Sequence, residues 1–265
     1  MTTNSKQLPP HLIPYAKTNP ANREQVHRLL YHLNDVGQMA LVIWQEVFTE
    51  QIRRRLAGIL GLSVDECGRL LAFLASQHDL GKAGPAYQKK YGPDWLRQDL
   101  EGAGLALNGR NKAYDPKLLA HGTVSAWALD TLLPEMLGLD SSFAHKIAIA
   151  IGGHHGVWPG ENELDFISDS KQWEQVRRDL FSKLVSVFDP PANVTAPQSP
   201  AEMNAFLIVL AGLTSVADWI ASQNDEYFGY VQQPVDVEEY AGQANATARK
   251  ALQELGWLGW HPTGE

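Results

Sequence analysis

Apolar residues recur at steps of three and four along most of this chain, which is the spacing of one face of an α-helix. The clearest case lies within residues 34–48, where Val36, Met39 and Ile43 belong to a continuous apolar stripe. Strand-type alternation of apolar and polar residues is scarce. The pattern predicts an all-α fold with long surface loops and little or no sheet, with further helices over 116–137, 142–152, 171–187, 201–222 and 235–255.

A capping signal marks the start of another helix. Ser63 is followed three residues later by Glu66, a spacing typical of a capping box at a helix N-terminus. We expect this helix to include the only cysteine, Cys67, and to stop at Gly81. A single cysteine excludes both a disulfide and a cysteine-based zinc site, so the sequence favours a reducing, cytoplasmic environment.

Three segments rich in glycine, asparagine or proline interrupt the helical pattern, namely 92–115, 156–170 and 189–200. Such compositions predict surface loops. Residues with metal-binding side chains occur on both sides of each loop, so the loops are not expected to separate domains. We therefore predict a single domain over residues 1–265.

The composition is that of a globular protein. With 265 residues, 44% of them hydrophobic and 20% charged, the chain is long enough to bury a substantial core. No uninterrupted apolar run approaches the roughly 18 residues of a membrane span, and the N-terminus has no apolar leader. The sequence predicts no membrane partner.

The charge is acidic overall and uneven along the chain. A net charge of −8 argues against general electrostatic binding to nucleic acid. Residues 82–117 contain seven lysines and arginines against four acidic residues, a local surplus of three positive charges. This segment is either a basic surface for a phosphate backbone or an ordinary solvated loop.

Seven residues of metal-binding type recur along the helical segments. Imidazole and carboxylate together suit divalent first-row transition metals, and seven ligands exceed the need of one ion. We predict a two-metal hydrolytic centre that takes manganese, iron, cobalt or nickel rather than magnesium, which prefers oxygen ligands. The predicted ligands are His32, His78, Asp79, His121, His154, His155 and Asp218.

The most informative short motif is His-Asp-Leu-Gly-Lys at residues 78–82. His78 and Asp79 can turn toward one ion where a helix ends, because Gly81 allows the backbone to change direction. Lys82 would bring a cation near Asp79, where it could stabilise charge on a phosphate. The alternative is an ordinary helix C-terminus, in which Lys82 complements the helix dipole.

A second motif, Gly-Gly-His-His-Gly at residues 152–156, places two histidines among glycines. Adjacent side chains inside a helix point about 100° apart and would not share a centre. At a helix end with flexible flanks they can converge. The sequence therefore favours a functional role for His154 and His155.

The other candidates are weaker as single residues. His32 alone is more typical of a satisfied core or helix-start histidine, and His27 competes with it. His121 has small neighbours that leave room for an ion. Asp218 lies within the apolar segment 207–220, where a buried carboxylate requires a partner such as a metal.

The order of these residues, His, His-Asp, His, His-His and Asp on a helical chain, resembles the HD phosphohydrolase superfamily. The motifs are most similar to the HD nuclease domain of the CRISPR-associated nuclease-helicase of type I interference systems. The resemblance extends over about residues 28–260. The similar segments are Tyr31-His32-Leu33, His78 to Ala83, Leu119 to Gly122, Gly153 to Gly156 and Val216 to Ser222.

The resemblance implies specific roles. One metal would be held by His32, His78, Asp79 and Asp218, and the other by Asp79, His121, His154 and His155. Asp79 would bridge the two metals, and Lys82 would assist at the phosphate. The family cleaves single-stranded DNA that a helicase supplies, and the helicase connects it to the CRISPR surveillance complex.

One part of the family pattern is missing. No Gly-x-x-x-x-Gly-Lys-Ser/Thr phosphate loop occurs, so this sequence contains no helicase motor. We expect either a separate nuclease subunit or a segment of a nuclease-helicase, with the helicase domain in trans or in cis. The apolar residues 255–260 favour the second possibility, because such a segment normally packs against something.

Charge supports the nuclease hypothesis. Two divalent ions outweigh the two carboxylates, so the centre would attract a phosphodiester although the chain is acidic. Metal-activated water would then attack phosphorus in line. Two alternatives remain at this point: a phosphohydrolase for cyclic dinucleotides or nucleotides, and a non-catalytic histidine-rich binding or sensor module.

Overall fold

A computed structural model describes residues 8–107 and 120–258 of the chain. Ten α-helices form the described part of the fold. They are α1 (Leu29–Val42), α2 (Glu50–Leu60), α3 (Val64–Ser76), α4 (Pro85–Tyr91), α5 (Asp94–Gly102), α6 (His121–Leu137), α7 (Ser141–Gly152), α8 (Lys171–Phe188), α9 (Pro200–Ala221) and α10 (Val237–Glu254).

Helix α1 lies at the centre of the fold. Thirteen of its fourteen residues are buried, and it packs against α3, α9 and α10. A helix that is buried on all sides can be apolar around its whole circumference. The polar side chains of α1, including His32, Asn34 and Asp35, therefore lie inside the protein, where each requires a specific partner.

The capping prediction is confirmed. The Ser63 hydroxyl accepts a hydrogen bond from the Glu66 backbone N–H, and the Glu66 carboxylate accepts one from the Ser63 backbone N–H. Ser199 and Glu202 form the same reciprocal pair at the start of α9. These caps satisfy backbone donors that have no partner within their helices.

The predicted helices are confirmed within a few residues, apart from 116–119, which lie outside the described residues. Four elements or boundaries differ from the prediction. Helix α5 lies in the predicted loop 92–115, because Leu96 and Leu100 bury one face of it. Helices α2 and α4 were not predicted, and α3 ends at Ser76 rather than Gly81.

Two short strands are the only sheet in the described residues. Strand β1 (Tyr15–Thr18) pairs antiparallel with β2 (Val26–Arg28). The backbone N–H of Arg28 donates to the Val231 carbonyl, which ties the hairpin to the segment before α10. The predicted helical fold with little sheet is confirmed.

Helix α9 is long and apolar, although polar residues interrupt its apolar run. Its 22 residues, with a mean hydropathy of 1.6 in the best window, meet the length and composition of a membrane span. A core helix of a soluble protein meets the same test. Here α9 packs against α1, α3 and α7 and contributes the buried carboxylate Asp218, as a core helix does.

Candidate metal centre

All seven predicted ligands converge at one place. They come from α1 (His32), the turn after α3 (His78 and Asp79), the start of α6 (His121), the turn after α7 (His154 and His155) and α9 (Asp218). Their ligand atoms form two groups that share Asp79, and within each group all ligand atoms lie within 4.8 Å of one another. Residues far apart in sequence thus form one compact cluster.

The first group is fully buried and consists of His32, His78, Asp79 and Asp218. Asp79 Oδ2 lies 3.0 Å from His32 Nε2 and 3.2 Å from His78 Nε2. Asp218 Oδ1 lies 3.6 Å from His32 Nε2 and 3.4 Å from His78 Nε2. Two carboxylate oxygens and two imidazole nitrogens therefore surround one point.

The second group uses the other oxygen of the same carboxylate. Asp79 Oδ1 lies 3.2 Å from His121 Nε2 and 3.6 Å from His154 Nε2. His121 Nε2 lies 3.0 Å from His155 Nε2. His154 is buried and His155 is exposed, so this group opens to solvent on the side of His155.

Backbone carbonyls fix the orientation of two rings. His78 Nδ1 lies 3.2 Å from the Ala75 carbonyl oxygen, and His154 Nδ1 lies 2.9 Å from that of Ile151. A carbonyl can only accept, so Nδ1 donates and the Nε2 lone pair of a neutral ring points into the centre. Metal-binding histidines are commonly held in this way.

Several buried polar atoms at the centre have no hydrogen-bond partner, as expected of residues that bind a metal. His78 Nε2, His154 Nε2 and Asp79 Oδ1 are buried in the centre with no hydrogen-bond partner. Buried polar atoms without a partner are costly and rare. A divalent cation in each group would supply the missing partners, and the mixture of imidazole and carboxylate suits a transition metal.

The protonation of the metal-free centre follows from its charges. Burial alone would lower the pKa of His78, but Asp79 and Asp218 outweigh it and raise that pKa to about 9. Burial lowers the pKa of His121 to about 3. Burial would raise the pKa of Asp79, yet the attraction of His78 and Lys82 holds it well below its usual value. Of the two rings, His78 is therefore the one that carries a proton at neutral pH.

Lys82 is buried and directed at Asp79. Its ammonium contacts Asp79 Oδ2, lies 3.4 Å from the Ala16 carbonyl oxygen and sits 5.2 Å from the Tyr87 ring centroid. The attraction of Asp79 raises the pKa of Lys82 despite its burial. Its charge therefore lies next to the shared carboxylate, and its predicted role at a phosphate stays a prediction.

Contrary to the prediction, Gly81 does not end helix α3 but allows a close approach of two backbone segments. A Cβ at this position would lie 2.1 Å from the His121 carbonyl oxygen. The Gly81 N–H also donates to Ser125 Oγ over 2.8 Å. Glycine is needed here because the turn that bears Asp79 packs directly against the first residues of α6.

His27, the competing candidate, is not part of either group. Its Nε2 lies 2.8 Å from Asp35 Oδ2, and its Nδ1 accepts from the Val231 N–H over 2.9 Å. Both ring nitrogens are therefore used in the fold. His27 connects β2, α1 and the segment before α10, and His32 is the histidine that reaches the centre.

Sequence reasoning missed several residues that support the centre. Ser222 Oγ donates to Asp218 Oδ1, and Ser215 Oγ donates to the His154 carbonyl oxygen, each over 2.7 Å. Ser222 could have been found, since it follows Asp218 by one helical turn. Lys17 of β1 had no sequence signal; burial and repulsion by Lys82 lower its pKa.

The cations of residues 82–117 do not all face solvent. Lys82 is buried at the centre, while Lys90 and Arg97 are exposed. Arg97 lies 3.8 Å from Asp94, which partly offsets its charge. Three further cations of this segment, Arg110, Lys112 and Lys117, lie outside the described residues.

Comparison with known proteins identifies the family. The sequence profile described as "Cas3, HD domain" matches residues 15–228, most of the chain. The chain belongs to the Cas3 HD-domain family. This confirms the family resemblance and the helical fold expected from the sequence.

Individual relatives agree with the family. The chain is 30% identical over 236 residues to the CRISPR-associated endonuclease/helicase Cas3 of Thermus thermophilus, with 87% of this chain and 24% of that protein covered. This Cas3 HD-family chain thus spans about a quarter of the length of that relative.

Solved structures of similar proteins share the fold. A crystal structure of a CRISPR-associated protein matches with a TM-score of 0.83 and 35% identity, covering 96% of this chain and 28% of the other. The Thermus thermophilus Cas3 HD domain, solved in the presence of Ni2+, matches with a TM-score of 0.68 and 26% identity, covering 97% and 93%.

Proposed function

We propose that this chain is a metal-dependent nuclease that cleaves single-stranded DNA in CRISPR interference. The observation that supports this proposal most strongly is the position of Asp79, whose two oxygens each face a separate cluster of imidazoles. A carboxylate shared in this way can hold two ions side by side, and two neighbouring ions can stabilise both the attacking and the leaving oxygen in phosphodiester hydrolysis.

The seven residues would form two metal sites. His32, His78, Asp79 and Asp218 would hold one ion, and Asp79, His121, His154 and His155 would hold the other. When bound, two divalent ions supply water of lowered pKa and neutralise negative charge on phosphate oxygens. The exposed side at His155 is where a phosphodiester can approach.

Lys82 would add positive charge to the centre from a buried position next to Asp79. Its ammonium keeps Asp79 ionised and oriented, so that carboxylate is ready to accept metals. The same charge favours the electron-rich phosphate in the transition state. We therefore propose Lys82 as a residue that assists catalysis and Asp79 as the central catalytic ligand.

The proposed metals are transition metals, with two ions per chain. Imidazoles supply most of the ligand atoms, which favours manganese, iron, cobalt or nickel over magnesium. The Ni2+ present with the Thermus thermophilus HD domain agrees with this preference.

The proposed partners follow from the length of the relatives. The Thermus thermophilus protein is named an endonuclease/helicase, and this chain corresponds to about a quarter of it. We propose that a helicase, in cis or in trans, supplies single-stranded DNA and connects the chain to the CRISPR surveillance complex.

Substitution of the shared carboxylate tests the proposal. Asp79→Ala should abolish manganese-dependent cleavage of single-stranded DNA, because both ions lose a ligand. His145→Ala is the matched control, since His145 lies on α7 and pairs with Asp130 away from the centre. Cleavage retained in Asp79→Ala would contradict the proposal.

The same assay separates the alternatives. A small-molecule phosphohydrolase would cleave cyclic dinucleotides or nucleotides in preference to single-stranded DNA. A sensor module would bind metal and cleave neither substrate. The exposure of His155 favours the polymer, because a long chain needs an open site.

A further inference from the structure

Two tryptophans near the metal centre are exposed to solvent. Trp158 is 49% exposed and follows His155 by three residues, and Trp219 is 65% exposed and follows Asp218 directly. Large aromatic side chains are usually buried, because they remove much apolar surface from water. Two exposed indoles that are neighbours in sequence of candidate metal ligands are therefore candidates for contact with a substrate.

The Trp158 indole packs on the backbone beside the histidine pair. A Cβ at Gly153 would lie 2.8, 3.1 and 3.2 Å from Cδ2, Cγ and Cε2 of Trp158. These three atoms are bonded to one another and are nearly equidistant, so Gly153 contacts a face of the indole. Glycine lets the ring lie against the backbone next to His154, and Trp158 remains 49% exposed.

Trp219 lies on the side of α9 that supports the centre. Ser215 and Ser222 are four residues before it and three after it, so all three share one helical face. Ser215 donates to the His154 carbonyl oxygen, and Ser222 donates to Asp218 Oδ1. Along the helix, Trp219 therefore lies between two serines that each hydrogen-bond to a candidate metal-binding residue.

We propose that Trp158 and Trp219 stack on the bases of a single-stranded polynucleotide that crosses the metal centre. This inference rests on the proposed function and deepens it, because it assigns residues that hold the substrate. Indole rings stack on any base, since every base has a π-face, and they require the bases to be unpaired. The phosphates between stacked bases would then pass the open side at His155.

Stacking also explains how an acidic chain can hold nucleic acid. The net charge of −8 provides little general attraction for phosphates. Each base stacked on an aromatic side chain contributes about 1–3 kcal/mol, or roughly 5- to 150-fold in affinity. A small phosphate without a base would gain nothing from either tryptophan.

A binding comparison tests the inference without cleavage. Fluorescence anisotropy would measure the affinity of the 265-residue chain, in chelator, for labelled oligodeoxythymidylate and for an abasic chain of equal length. The unmodified protein should bind the base-containing strand at least fivefold more tightly. Trp158→Ala and Trp219→Ala should each reduce this ratio, while Trp158→Phe, which keeps an aromatic face, should retain most of it.

A control variant and a second assay make the outcomes distinct. Trp257→Ala removes an indole that is 42% exposed after α10 and should leave the ratio unchanged. In manganese, Trp158→Ala should raise KM for the base-containing strand more than it lowers kcat.

If the unmodified protein cleaves single-stranded DNA but binds both strands equally, or if both alanine variants keep the full ratio, only the stacking inference is overturned. If it neither binds nor cleaves any single strand, the proposed function fails with it.

Discussion

Ser222, the residue directly after α9, donates a hydrogen bond over 2.7 Å to Oδ1 of Asp218, which lies one helical turn before it. The same oxygen faces His32 and His78 in the first ligand group. A hydroxyl that donates to a ligand carboxylate fixes the direction of its remaining lone pairs. The C-terminal end of α9 thus orients the carboxylate of Asp218, which α9 itself supplies.

Removal of this hydroxyl should weaken metal binding. We expect Ser222→Ala to lower the affinity of the first group for manganese by about 10- to 100-fold, the usual cost of losing such a supporting contact. Titration calorimetry would measure the change. Ser182→Ala on α8 is the control, because its hydroxyl bonds only the Arg178 carbonyl. Equal affinities in the two variants would contradict the positioning role of Ser222.

Metal affinity should rise with pH over the range from about 6 to 9. In the metal-free centre Asp79 and Asp218 raise the pKa of His78 to about 9 against the effect of burial, so below that pH a metal must displace a proton. Each unit of decrease in pH should weaken binding up to about tenfold through this proton. His121 does not oppose binding in this range, because burial lowers its pKa to about 3.

Calorimetry in buffers of different ionisation enthalpy would count the released protons. About one proton per chain should be released at pH 7, and His78→Ala should remove the pH dependence along with most of the affinity of the first group. An affinity that stays constant from pH 6 to pH 9 in the unmodified protein would contradict this protonation of His78.

The close contact at Gly81 should make it intolerant of any side chain. A Cβ there would meet the His121 carbonyl oxygen at 2.1 Å, and that oxygen belongs to backbone and cannot rotate away. We expect Gly81→Ala to reduce the free energy of unfolding by about 1–3 kcal/mol. It should also displace His121 from the second group and weaken metal binding.

A glycine in an open helix position is the matched control. Nothing lies within 4 Å of a Cβ at Gly58, which is an exposed position in α2. Gly58→Ala should raise the free energy of unfolding by about 0.4–1 kcal/mol. Urea unfolding of both variants would measure the difference. A Gly81→Ala variant as stable as Gly58→Ala would rule out the contact with α6.

The helical fold, and the set of residues that converge at the candidate metal centre, could be predicted from the sequence for physical reasons. Apolar spacing follows from helix geometry, and the Ser63 cap depends on residues only three apart. A carboxylate such as Asp218 within an apolar helix requires a compensating charge or metal, whatever the position of that helix in the fold. These inferences depend only on residues close in sequence or on the chemistry of a single residue type.

The remaining features depend on contacts between distant segments. His27 and His32 could not be separated by sequence, because only the pairing of His27 with Asp35 and the Val231 N–H removes it from the centre. The position of Lys82 against Asp79 and the approach of Lys17 likewise depend on how the hairpin packs against the turn after α3.

Asp79 lies between two groups of metal-binding side chains, and a manganese-soaked crystal would show whether it is shared between two ions. Anomalous scattering should show two peaks on either side of Asp79, with His32, His78 and Asp218 around one and His121, His154 and His155 around the other. Peaks elsewhere, or an Asp79 carboxylate that contacts no ion, would contradict the account.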